Sequence, residues 1–229
     1  MRDLLSEINR EVRPKRRRRS GWLGTLGSLA AATIVLGSLA AILTGLSAAK
    51  GPVLVGGEWA RDEIAALRQE LDDARGKLTL AEAQMDRMTA ITGYSALYKV
   101  PADLATAIYD IALAEGIHPS LGFQLVKVES GFKGGARSSM NAIGYTQLRL
   151  ATARFYDSTL TEERLHDRDV NLRIGFRFLK DLMRQFDQDL HLALVAYNRG
   201  PTRVIELMER GEDPRNGYSD VVLKGVRRG

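Results

Sequence analysis

From Trp22 to Ala49 the chain carries no charged side chain: WLGTLGSLAAATIVLGSLAAILTGLSAA. That run is longer than the ~20 apolar residues that cross a bilayer as a helix. It is also longer than the roughly 7–15 residues of a signal-peptide core, and too long for a helix buried in a small globular domain. Residues 21–49 are therefore expected to form one transmembrane helix. Arg16, Arg17, Arg18 and Arg19 stand just before it. The positive-inside rule then places residues 1–20 in the cytoplasm and everything after residue 50 on the far side. Ser47-Ala48-Ala49 has the small residues of a cleavage site, so removal of residues 1–49 is the alternative.

The charge distribution narrows the choice of partners. The formal net charge is +5, and residues 1–20 hold eight basic and three acidic side chains, so the whole excess lies in that tail. The rest of the chain is balanced. Binding nucleic acid needs a basic patch on the folded surface, and none is implied. There is no cysteine, which excludes disulfides, thiolate metal sites and a cysteine nucleophile.

Residues 50–57 read as a Gly/Pro-containing linker. Over residues 58–92, Ile64, Leu71, Leu78 and Met85 recur every seven residues, with Leu67, Ala74, Ala81 and Met88 as a second series. Charged residues fill the gaps. This is an a/d seam, and it predicts a coiled-coil stalk that joins copies of the chain through residues 58–91. A single amphipathic helix lying on the following domain is the competing arrangement.

Residues 93–229 have the length of one domain and helical periodicity nearly throughout. Leu104, Ile108 and Ile111 mark one helix after Pro101, and His118-Pro119 opens the next. Asp169 is expected to cap a helix with the stripe Ile174, Phe178, Leu182 and Phe186. Leu190 to Asn198 and then Val204, Ile205 and Met208 suggest two more, divided by Gly200-Pro201. Residues 133–147 are rich in Gly and Ser and suit a loop with a small β-hairpin.

Within this domain one carboxylate is placed unusually. Leu121, Leu125 and Val128 form an apolar stripe, and Glu129 lies on its side, just ahead of Gly131 as a helix stop. Burial and the negative end of the helix both disfavour its anion. A carboxylic acid kept protonated near neutral pH is what donation to a leaving oxygen requires. The plain alternative is a solvated side chain paired with Lys127 or Lys133.

The residues around Glu129 carry a further signal. Glu129-Ser130-Gly131-Phe132, Ala136-Arg137-Ser138 and Gly144-Tyr145-Thr146-Gln147-Leu148 follow in order. Then come Asn171 with Gly175 and Leu179, Ala196-Tyr197-Asn198-Arg199-Gly200, and Tyr218 with Val221 and Val222. This series resembles the catalytic domain of the soluble lytic transglycosylases, in the lysozyme-like superfamily, over residues 94–223. The resemblance implies a mainly α (α+β, lysozyme-like) domain with a small hairpin, Glu129 as the acid/base, and Gln147 and Tyr197 lining a sugar cleft. Asn198 and Tyr218 are candidates for the same wall. Ser130 either orients Glu129 or caps the helix end. Asn171 is assigned to helix packing. The chain departs from the family where a methionine usually precedes the glutamine and Met-Pro follows the leucine: here stand Thr146 and Arg149-Leu150.

What the resemblance implies chemically is cleavage of the β-1,4 bond between N-acetylmuramic acid and N-acetylglucosamine, closing a 1,6-anhydro ring, with no metal and no cofactor. The partner would be the glycan strands of peptidoglycan. Joined to the membrane span, this gives a single-pass protein of a bacterial inner membrane, with its catalytic domain in the periplasm and a possible place in an envelope-spanning assembly. A muramidase-type hydrolase and a non-catalytic wall-binding or docking module are the alternatives.

Overall fold

The computed structural model describes residues 57–226. The basic tail, the apolar run at 21–49 and the linker up to residue 56 lie outside the described residues. Among the described residues no helix is long and apolar enough to cross a membrane. They divide into two compact units between Glu82 and Ala83.

The first unit, residues 57–82, is helical from Glu58. It belongs to a helix, α1 (Glu58–Tyr98), of 41 residues. Over residues 58–82 Ala, Leu, Arg, Glu and Asp dominate, Gly76 is the only glycine and there is no proline, so propensity alone favours helix. The seam residues Ile64, Leu67, Leu71 and Leu78 are exposed by 48–60%.

In the second unit, the last turns of α1 enter a core. Gly93, where the last domain was expected to open, is an interior residue of α1. A helical glycine costs about 1 kcal/mol, but Ile91 and Tyr94 on either side of it are buried. The Tyr94 ring stacks on Phe123 at 4.3 Å between centroids, and Tyr98 on the same ring at 5.3 Å. Such pairs add about 0.5–1.5 kcal/mol each beyond burial, enough to carry the helix past the glycine. Lys99, in the left-handed region at φ 55, and Pro101 end it.

The remaining helices are α2 (Ala102–Ala114), α3 (Pro119–Ser130), α4 (Leu150–Tyr156), α5 (Glu162–Leu165), α6 (Arg168–Gln185), α7 (Leu190–Arg199), α8 (Pro201–Glu209) and α9 (Tyr218–Val226). Several begin at a side chain that closes the first turn. His118 accepts from the Ser120 amide at α3, Thr161 from Arg164 at α5, Asp167 from Val170 at α6 and Asp189 from Leu192 at α7. The cap of α6 is thus Asp167, not Asp169 as expected; Asp169 lies in the first turn and pairs with Arg168. The buried face of α8 also differs from the expected one. Val204 and Leu207 turn inward, while Ile205 and Met208 stay exposed, because a nine-residue helix at the surface needs only one narrow stripe.

Helix α3 is packed between α2 and α9, and α6 packs on α2 and α7. Glu115, at the end of α2, is buried and receives Arg173 and Arg177 from α6 at 3.0–3.2 Å. Burial opposes its charge, but the two arginines outweigh that and hold its pKa below the ordinary range. Strands β1 (Ala142–Ile143) and β2 (Leu148–Arg149) form an antiparallel hairpin, with Ala142 opposite Arg149 and Ile143 opposite Leu148. Ile143 and Leu148 sit on a second, smaller core with Leu160, Leu165 and Ile174. The domain is mainly helical with one two-stranded hairpin.

Candidate active site

The site grows from two termini, the end of α3 and the turn of the hairpin. Gly131 takes the left-handed conformation (φ 58) and its amide closes on the Lys127 carbonyl at 3.0 Å, which stops α3 and leaves Glu129 in its last turn. The Tyr218 hydroxyl, at the start of α9, donates to Glu129 Oε1. Burial pushes the Glu129 carboxyl up to about 7, and the Tyr218 hydrogen bond works against that rise by favouring the anion. Among the described residues no lysine or arginine forms an ion pair with Glu129; Lys127 lies instead over the Tyr98 ring at 5.5 Å.

The hairpin is held to α6 by one buried amide. Asn171 Nδ2 donates to the Ile143 and Leu165 carbonyls at 2.9 and 3.0 Å. Its Oδ1 accepts from the Thr146 amide at 2.9 Å and the Thr146 hydroxyl at 2.8 Å. Two glycines make room. A Cβ on Gly175 would meet Thr146 Oγ1 at 2.4 Å, and one on Gly144 would meet Asn171 Nδ2 at 2.3 Å. Asn171 is therefore a packing residue. Thr146 is fully buried and supplies the polar partners that complete this network.

A cleft of about 450 Å³ opens between the end of α3, the hairpin and the α7–α8 turn. Glu129, Gln147, Tyr197 and Asn198 all line it, so four of the six residues singled out in the sequence share one wall system. Gln147 sits at φ 49 and donates its amide to the Ala136 and Gly144 carbonyls at 3.1 and 2.9 Å. That leaves its side-chain oxygen for a ligand. Tyr197 borders the cleft, but its hydroxyl donates to the Thr146 carbonyl at 2.9 Å and its ring leans on Phe178. Its O–H is thus used internally and is not free to donate to a sugar. Burial, then the charge of Glu129, raises its pKa. Asn198 accepts from Asn216 Nδ2 at 2.9 Å. Tyr218 is not a lining residue; it stands behind Glu129 as its hydrogen-bond partner. Ser130 donates back to the Val126 carbonyl at 3.1 Å, which ties it to the helix end.

The cleft also contains residues not singled out as site residues from sequence, among them Arg149, Thr152, Phe178 and Arg199. Arg149 follows the Gly144–Leu148 motif directly and Arg199 lies within the Ala196–Gly200 motif, which is the signal that marks them in retrospect. Glu129 is the one carboxyl among the described residues lining the cleft. A second hollow of about 430 Å³, between the end of α1, α3 and α9, has no carboxyl in its lining, so it offers no acid for such chemistry.

The family described as Transglycosylase SLT domain matches residues 106–215. Among solved structures, an inactive mutant of the lytic transglycosylase Slt from Pseudomonas aeruginosa is similar at 31% identity and a TM-score of 0.42, covering 53% of this chain and 20% of that one. The 70 kDa soluble lytic transglycosylase from Escherichia coli is similar at 22% identity and a TM-score of 0.47, covering 56% of this chain and 23% of that one. The chain spans less than a quarter of either protein's length. Residues 106–215, from within α2 through the cleft to the approach of α9, belong to the Transglycosylase SLT domain family.

Proposed function

We propose that this chain is a membrane-anchored peptidoglycan lytic transglycosylase that uses Glu129 as its single acid/base. The observation that carries the proposal is the state of Glu129: a desolvated carboxyl with a pKa of about 7, alone of its kind among the cleft residues described. Glycosidases that hydrolyse with two protein carboxylates need a second one roughly 5–9.5 Å from the first. A lone acid suits a route in which the substrate supplies the second group. Glu129 donates its proton to the glycosidic oxygen as the bond from C1 of N-acetylmuramic acid breaks. The acetamido oxygen of that sugar bonds to C1 in its place. The carboxylate of Glu129 then takes the proton of the C6 hydroxyl, and the C6 oxygen displaces the acetamido oxygen from C1. The 1,6-anhydro ring closes, Glu129 is protonated again, and no water enters. The Gln147 oxygen and Asn198 are the groups we assign to sugar hydroxyls, Tyr218 to tuning the acid.

Placement follows from the N-terminal pattern: residues 21–49 as the membrane span, the tail in the cytoplasm, and residues 58–91 of α1 as a stalk that pairs copies of the chain along its seam. The catalytic domain would then work in the periplasm of a bacterial envelope, at an assembly that needs a local opening in the wall. The test is Glu129→Gln, which keeps the shape and removes the proton cycle. Wall cutting should fall on the order of 10²–10⁴-fold with the fold intact. Near-normal cutting by that variant at matched purity contradicts the assignment.

A further inference from the structure

The cleft is electrically one-sided. Among the described residues that line it, the ionisable side chains other than the Tyr197 phenol are Glu129, Arg149 and Arg199. Glu129, its pKa raised to about 7 by burial, carries only part of a negative charge near neutral pH, so the two guanidinium groups outweigh it and set the sign. Arg199 is anchored, donating to the Pro214 carbonyl at 2.9 Å. Arg149 differs. It is the last residue of β2 and precedes α4, its strand position is opposite Ala142, and its side chain is exposed. Its guanidinium makes no hydrogen bond or ion pair with a described residue, whereas Arg137, ahead of β1, is tied to Glu162 and Asn141. An arginine left open on a cleft wall, two residues from Gln147, has five donors in a planar fork matched to a carboxylate.

We propose that Arg149 is a specificity-determining residue that binds a carboxylate of the glycan, so that the cleft selects acidic muramoyl strands over neutral β-1,4-linked N-acetylglucosamine chains. The inference rests on the wall-glycan reading of the cleft. The carboxylate has two possible sources on such a strand, the lactyl group of the muramoyl sugar or the peptide attached to it. Both present the same fork-shaped acceptor, and a charge-assisted pair of this kind is among the stronger hydrogen bonds available to a surface site.

The test measures binding, with the full chain carrying Glu129→Gln so that turnover does not interfere. The probes are three tetrasaccharides of alternating N-acetylmuramic acid and N-acetylglucosamine: one with free lactyl carboxylates, one with these converted to methylamides, and one with them coupled to L-Ala-D-Glu. Calorimetry should give the neutral methylamide an affinity roughly tenfold weaker than the better of the two acidic probes. Whichever acidic probe binds tighter identifies the source of the carboxylate. Adding Arg149→Gln should erase the difference, Arg149→Lys should keep part of it, and raising the salt should shrink it in the parent only. Equal affinities in the parent, or a preference that survives Arg149→Gln, overturn the proposal while leaving the wall-glycan reading in place. A folded chain that binds none of the three probes overturns both.

Discussion

At the scale of the residue, the behaviour of Glu129 is set by what surrounds it. Its pKa in the folded chain is about 7 against 4.5 for an ordinary glutamate, with burial as the cause. The folded chain therefore holds this proton more tightly than the unfolded one. The stability this gives is fully present below pH 4.5 and is lost as the pH rises through 7. Glu129→Gln removes the titration. The stability of the variant relative to the parent should thus be lowest below pH 4.5 and climb to a plateau above pH 7, by at most roughly 3 kcal/mol. Melting curves across that window check this, and a flat difference contradicts it. Tyr218→Phe removes the bond that favours the carboxylate, so the alkaline limb of activity should move to higher pH.

At the scale of the element, the hairpin depends on Asn171 more than on its own two pairs of residues. Asn171→Ala would strand the Ile143 and Leu165 carbonyls and the Thr146 amide inside the domain. A loss of about 3–4 kcal/mol by chemical denaturation is expected; a loss under about 1 kcal/mol would contradict the anchoring role. Helix α1 makes a separate claim. Leu71→Asp with Leu78→Asp puts charge into a seam that a partner helix cannot satisfy. In a chain starting at Gly57, sedimentation should show self-association falling while glycan cutting persists. A parent already monomeric, and a catalytic domain that loses stability on mutation, would contradict the stalk.

These elements also mark what the sequence made legible. Glu129 in the last turn before Gly131, His118-Pro119 as a helix opening and Asn171 as a packing residue all follow from local spacing or motif, and the structure has each there. The pairing of Tyr218 with Glu129 joins residues 89 apart, a distance over which periodicity carries no information. The hydroxyl of Tyr197 is taken up by a backbone carbonyl 51 residues away for the same reason. The passage of α1 through Gly93 was hidden because the deciding force is tertiary. Stacking on Phe123 outweighs a local signal that reads as a break.

At the scale of the whole molecule, the proposed function joins a proposed N-terminal anchor, a proposed helical stalk and a domain with one acid in its cleft. Its central claim is the product. A lone acid assisted by the substrate's acetamido and C6 hydroxyl groups leaves an anhydro end, whereas a hydrolase leaves a reducing end. Mass spectrometry of purified peptidoglycan digested with the protein distinguishes them, since the two products differ by one water. The account predicts 1,6-anhydromuramoyl ends with the parent and none with Glu129→Gln. Reducing muramoyl ends as the main product of the parent would contradict it.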